Sequence, residues 1–208
     1  MQRVCAVAKE IMRAGKQREP YFDAEAAMDW QWAALIWPWI EGVDFGHVVD
    51  LAAGQGHSSA RLLPHAGTLT VVDISATRIE QCRQRFAGDA KVRCLQTNGY
   101  SLAGIVDASV TLLFSFGAMV HFDSDVIRVY LLESARVLAS GGQLFCHHSN
   151  FTALPGGQVD RAPHRRNYMS RTLFAHYAVK AGLEVVRQQE IPCGDFADLD
   201  CFSLLRKP

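Results

Sequence analysis

The stretch Val48-Val49-Asp50-Leu51-Ala52-Ala53-Gly54-Gln55-Gly56-His57-Ser58-Ser59 decides how the rest of the chain is read. It opens on an apolar run that reads as a buried parallel strand. It then breaks into small residues and two glycines, and a helical pattern starts near Ser58. A strand, a glycine turn and a helix N-terminus turn backbone N–H groups and the helix dipole toward a ligand. Small residues let that ligand approach the main chain closely. A second apolar run, Thr68-Leu69-Thr70-Val71-Val72, ends in Asp73. That interval is close to the roughly 20 residues at which a carboxylate meets ribose hydroxyls. Residues 47–74 therefore read as a nucleoside-binding βαβ unit.

Outward from this unit, strand and helix patterns alternate. Residues 45–52 read as the first strand and 58–63 as the first crossover helix, closed by Pro64, His65 and Gly67. After the second strand, residues 75–86 put Ile79, Cys82 and Phe86 on one helix face. Residues 91–97 read as a peripheral third strand and 106–116 as the fourth, followed by a loop over 117–123. Residues 124–138 form an amphipathic pattern with Ile127, Leu131, Ser134 and Leu138 inward, ending at Gly141-Gly142. Residues 143–149 read as the fifth strand. The alternation predicts a parallel sheet with right-handed crossovers. The order then changes: a polar loop over 150–168, a helix over 170–181, and strands over 183–191 and 199–206. The fold expected is α/β, a Rossmann-like seven-stranded mixed sheet with helices on both faces and the last strand antiparallel.

Residues 1–44 are expected to form an N-terminal helical cap or lid on the domain of residues 45–208. Residues 1–20 are weakly patterned. Asp23 is placed to cap a helix over 21–41 that Pro38 distorts or ends. All four tryptophans, Trp30, Trp32, Trp37 and Trp39, fall in this helix. They read as an anchor on the sheet edge, as a lid, or as an aromatic wall for a second substrate.

The 208 residues suffice for one domain with a good core. Lys plus Arg is 21 and Asp plus Glu is 21, so no whole-chain charge draws the protein to nucleic acid or an acidic membrane, and neither partner is expected. The six cysteines form no C-x-x-C pair and read as reduced thiols of a cytoplasmic protein. Lys9, Glu10 and Arg13 interrupt the N-terminus, which reads as no signal peptide.

Taken in order, these motifs resemble the class I S-adenosylmethionine-dependent methyltransferases, whose first motif is Asp/Glu-x-Gly-x-Gly-x-Gly. Here it stands as Asp50-Leu51-Ala52-Ala53-Gly54-Gln55-Gly56, with Ala52 where the first glycine is usual. Asp73 in Val72-Asp73-Ile74-Ser75 resembles the ribose-binding acid, and Ile74 the apolar residue against adenine. Asn98-Gly99 stands where the family often has Asp-Gly. Residues 107–116 resemble the fourth strand, and Arg136-Val137-Leu138-Ala139-Ser140-Gly141-Gly142 the turn before the fifth. The resemblance runs from Phe45 to Arg206 and implies S-adenosyl-L-methionine as cofactor. It places Asp50, Ala52, Gly54 and Gly56 along the methionine portion, Asp73 at the ribose, Ile74, Asn98 and Gly99 around adenine, and Ser115 near the sulfonium side. The activity it implies is methyl transfer to a small molecule, with a hydroxyl oxygen as the expected acceptor atom.

Acceptor chemistry is expected beyond the carboxyl ends of the strands. His121 and His148 are the candidate bases or orienting groups, since imidazole titrates near neutrality. His147 and His148 are adjacent on a strand and face opposite ways. Arg161, His164, Arg165, Arg166 and Arg171 form a basic loop suited to a carboxylate or phosphate on the acceptor. No spacing matches a standard metal site. Three other readings stay open: a nicotinamide-dependent oxidoreductase, since Gly54 to Ser59 partly mimics Gly-x-Gly-x-x-Gly; an RNA or protein methyltransferase; and a non-catalytic S-adenosylmethionine-binding protein.

Overall fold

The computed structural model describes residues 24–156 and 159–208. Expectations that fall on residues 1–23, Asp23 as a cap among them, lie outside the described residues. The elements in chain order are α1 (Ala24–Gln31), a π-helical turn (Trp32–Ile36), α2 (Trp37–Ile40), β1 (His47–Leu51), α3 (His57–Leu62), β2 (Thr68–Asp73), α4 (Ala76–Arg85), β3 (Val92–Gln96) and β4 (Val110–Ser115). They continue with α5 (Ser124–Val137), β5 (Leu138–Ser149), α6 (Arg171–Lys180), β6 (Glu184–Cys193) and β7 (Phe196–Arg206).

The seven strands form one sheet in the order β3-β2-β1-β4-β5-β7-β6. β1 to β5 pair in parallel, and β7 lies antiparallel between β5 and β6. Strand alternation divides the core into two layers. Val49, Leu51 and Leu113 face α5 and α6, where Ile127, Leu131 and Phe174 meet them. Val48, Leu69, Leu112 and Phe114 face the other way, against Ile36, Trp39 and Ile40 of the N-terminal helices, Leu62 of α3 and Cys82 of α4. Each such fully buried aliphatic or aromatic side chain contributes about 1.5–3 kcal/mol relative to exposure. The expected seven-stranded mixed sheet with helices on both faces is therefore the fold observed.

The structure corrects several local expectations. The tryptophan helix lies on the face of the sheet rather than its edge: Trp32 packs on Phe114, and Trp39 on Phe145 and Phe202. Pro38 distorts the helix, one of the two outcomes expected, without ending it. It sits in the first turn of α2, and the chain before it widens so that the Trp37 amide bonds Trp32 O. A proline removes a donor and crowds the preceding turn, which a π-helical register relieves. β4 starts at Val110, not 106, because Val106 is exposed and Ala108 takes a left-handed φ of +51°. α5 stops at Val137, and the Gly141-Gly142 pair lies inside β5, where the pairing with β4 shifts register between Val110 and Leu112. A Cβ on Gly142 would meet Val110 O at 2.8 Å, so only glycine fits this bulge. The hairpin strands β6 and β7 run longer than expected and close on the two residues Gly194 and Asp195.

Candidate functional site

The strand order reverses between β1 and β4, so the crevice of an open α/β sheet falls at their carboxyl ends. On one side of that crevice is the glycine turn. Ala52, Gly54 and Gly56 all have left-handed backbones, with φ of +59°, +61° and +80°. The turn is pinned by Ala53 N to Val72 O at 3.1 Å and Gly56 N to Ala53 O at 3.0 Å. The two glycines differ. A Cβ on Gly56 would lie 2.8 Å from the Phe86 ring, so this glycine lets α3 and α4 pack. A Cβ on Gly54 would meet nothing nearer than Arg78 Nη1 at 3.9 Å, so this glycine leaves space on the crevice side.

Two buried carboxylates bracket the turn. Asp50 accepts the Ser59 hydroxyl at 2.6 Å. Burial raises its carboxyl to about 7, against the lowering effect of that hydrogen bond. Asp73 accepts the Gly54 amide at 3.0 Å on one oxygen and the Ser75 amide at 2.8 Å on the other. Burial raises its carboxyl as well, opposed by those amides and by the Arg78 guanidinium. Each carboxylate oxygen has a second lone pair, so these bonds leave acceptor capacity for hydroxyls. Ile74 is half-buried beside Asp73. Asn98 is exposed and its Oδ1 accepts the Tyr100 amide at 3.2 Å, while Gly99 is buried with φ of +90°. This turn is anchored from α5: Glu133 accepts the Leu102 amide at 2.7 Å, and Arg136 donates to Leu102 O and Ile105 O. The Ser115 hydroxyl donates to Leu51 O at 3.0 Å and so ties β4 to β1 where the turn begins.

The other side of the crevice lies above β4 and β5. His121 follows β4 and donates through Nδ1 to Arg165 O at 3.0 Å, leaving Nε2 as its lone-pair nitrogen. Burial lowers its pKa. His148 is fully enclosed: its ring stacks on Phe174 at 3.8 Å, Nδ1 donates to Ser149 O, and Nε2 lies 2.8 Å from Ser203 Oγ. Burial pushes it down to about 3. His147 points to the opposite face, between Phe116 and Phe202. Its Nε2 lies 3.0 Å from Asp200 Oδ2. Arg166 grips the same carboxylate with two bonds of 2.7 and 2.6 Å. Burial alone would raise Asp200, but His147 and Arg166 hold it at about 2.

Asp200 and its clasp by Arg166 were not foreseen from sequence. The one available signal was a carboxylate inside the apolar run Leu199-Asp200-Cys201-Phe202. The basic loop is also less open than its composition suggests, since Arg165 pairs with Asp160, Arg166 with Asp200 and Arg171 with Glu190. Among the described residues no group of three or more His, Cys, Asp or Glu is placed to hold a metal ion. No described helix is long and apolar enough to cross a membrane. Cys82, Cys94, Cys146, Cys193 and Cys201 are free thiols.

A glycine turn at a sheet switch point, with a carboxylate closing the next strand, defines a nucleoside-binding α/β protein of the Rossmann-like kind. A family model described as a methyltransferase domain matches residues 48–142. The chain is 30% identical over 173 residues to a ubiquinone/menaquinone biosynthesis C-methyltransferase of Rubrivivax gelatinosus, covering 71% of this chain and 66% of that protein. It is 33% identical over 97 residues to a demethylmenaquinone methyltransferase of Clavibacter sepedonicus, covering 47% of this chain and 38% of that one. The matches thus span less than two thirds of these relatives' own lengths. Geranyl diphosphate C-methyltransferase of Streptomyces coelicolor, solved with S-adenosyl-L-homocysteine, shares the fold at a TM-score of 0.68 and 14% identity, covering 92% of this chain and 88% of that one. Residues 48–142 thus match a methyltransferase domain, and the whole sheet has the Rossmann-like fold of S-adenosylmethionine-dependent methyltransferases.

Proposed function

We propose that this protein transfers a methyl group from S-adenosylmethionine to a small molecule bearing an acidic ring or enolic hydroxyl, at the carbon that hydroxyl activates. One observation carries the reading: the rim holds two unlike halves side by side. A turn of left-handed residues closed by Asp73 suits an adenosyl amino acid, and an aromatic cluster around a carboxylate-paired imidazole suits a proton-releasing acceptor. The name of one curated relative, a C-methyltransferase, favours carbon as the acceptor atom.

When bound, S-adenosylmethionine supplies an electrophilic sulfonium methyl. Asp50, Ala52, Gly54 and Gly56 would hold its amino acid end, Asp73 its ribose, and Ile74, Asn98 and Gly99 its base. Ser115 keeps β4 against β1, where the sulfonium end would lie on the side of Phe116 and His147. His121 presents Nε2 from the loop above. His148, with both nitrogens engaged, serves by fixing β5 against α6 and β7. The chain's own contribution is then alignment, water exclusion and a proton sink.

Methylation of the hydroxyl oxygen itself is the second reading, because a base beside a hydroxyl also activates its oxygen. Incubating the protein with S-adenosylmethionine and 1,4-naphthohydroquinone tests both. Formation of S-adenosylhomocysteine supports methyl transfer, and NMR of the product separates a ring methyl from a methoxyl. No turnover on this quinol or on simple catechols would count against the acceptor class.

A further inference from the structure

The proton sink is better served by a histidine other than the two expected from sequence. His147 is buried, and its Nδ1 has no hydrogen-bond partner among the described residues. Leaving a buried nitrogen unpaired is costly, so such an atom calls for a partner. The opposite nitrogen is held by Asp200, and Arg166 fixes that carboxylate by a two-bond clasp while bonding His164 O as well. An ionised carboxylate only accepts, so Nε2 must carry the hydrogen. The Nδ1 lone pair is thereby left as an acceptor.

We propose that His147 Nδ1 receives the proton of the methyl acceptor, with Asp200 and Arg166 as positioning residues. This rests on the small-molecule methyl transfer proposed above. The ring is enclosed near the carboxyl end of β5, next to Phe116, which follows the Ser115 that touches β1. With strands about 4.8 Å apart, β5 lies roughly 10 Å along the rim from the glycine turn on β1. An acceptor placed over β4 bridges that span. As the acceptor's electron pair forms the bond to the methyl carbon, the carbon–sulfur pair stays on sulfur and the acceptor's proton passes to Nδ1. The resulting imidazolium shares its second N–H with Asp200, and the proton then leaves to water. The charged and titratable groups around the ring are Asp200 on β7, Arg166 from the 150–168 loop and His121 beyond β4. Burial lowers the pKa of His147 while the Asp200 bond opposes that, which keeps the ring neutral and proton-accepting near pH 7.

Glutamine at 147 is the informative replacement. Its Nε2 can still donate to Asp200, but it offers no basic nitrogen. Two measurements decide the matter. Nitrogen NMR of the wild-type protein loaded with S-adenosylhomocysteine should show His147 as the Nε2–H tautomer, and an Nδ1–H tautomer would overturn the proposal. In turnover of 1,4-naphthohydroquinone, His147→Gln should lower kcat about 100-fold and remove the acidic limb of the pH profile. Its affinity for S-adenosylhomocysteine should stay as in wild type. A kcat within about twofold of wild type with that limb intact would overturn the assignment. If the wild type itself fails on this quinol, the proposed acceptor class is at fault, and the tautomer measurement decides the assignment of His147 alone.

Discussion

Asp73 Oδ2 accepts the Gly54 amide at 3.0 Å, so the carboxylate that ends β2 holds the middle of the turn that follows β1. The acid expected to serve the ribose also shapes the loop that would grip the amino acid end. Both ends of the crevice therefore depend on one side chain.

Asp73→Ala should accordingly fail in two ways. Affinity for S-adenosylhomocysteine should fall by on the order of 2 kcal/mol through lost charge-assisted hydrogen bonds. The urea midpoint should fall too, by about 1–3 kcal/mol in unfolding free energy, because the Gly54 and Ser75 amides lose their buried partner. Calorimetric titration and urea unfolding read the two separately. A normal midpoint with weakened affinity would show that the turn keeps its shape without Asp73.

The turn also carries a stored cost. Ala52 sits at φ of +59° in a region that penalises a Cβ by about 1–2 kcal/mol. Glycine there removes that strain but adds about 0.4–1 kcal/mol of unfolded-state entropy. Ala52→Gly should therefore stabilise the protein by roughly 0.5–1 kcal/mol. Gly56→Ala should do the reverse by about 2 kcal/mol or more, since strain adds to the 2.8 Å approach of Phe86. Thermal midpoints of the two variants test the pair, and equal shifts of one sign would contradict both arguments.

Asp50 sets a pH dependence. Its carboxyl rises from 3.8 to about 7 on folding, chiefly through burial, so the folded state keeps a proton that the unfolded chain releases. Stability from this group is full below pH 3.8 and is lost as pH rises through 7. Asp50→Asn retains an acceptor for Ser59 and cannot ionise. It should exceed wild type by on the order of 4 kcal/mol at pH 8.5 and by only about 1 kcal/mol at pH 4.5. A gain that is the same at both pH values would show that ionisation of Asp50 plays no part.

Much of the fold was legible because its signals are short-range. The apolar runs of β1 and β2, the glycines between them and the phase of Ile127 and Leu131 on α5 each lie within a few residues of one another. The misreadings came where a distant contact outweighed a local pattern. Val106 is apolar and looks like strand, yet Ala108 turns the chain there, with its amide bonded to Arg136 O on α5. Gly141-Gly142 looks like a helix stop, yet buried Leu138 already pairs with Val110 across the sheet. Of the acceptor side, periodicity fixed only that His147 and His148 face opposite ways.

The chain alone settled the order of elements and the glycine turn at residues 54–56, because backbone preference and hydrophobic period are properties of neighbours in sequence. Only the folded sheet decided that His147, and not His148, keeps an unengaged ring nitrogen among the described residues. β7 inserts beside β5 in a register that sets Ser149 opposite Asp200 and His147 opposite Phe202. That makes His147 the diagonal, same-face neighbour of a carboxylate 53 positions away and leaves His148 to the Phe174 side. A shift of one residue in that register would exchange their surroundings, and no local pattern in the sequence encodes it.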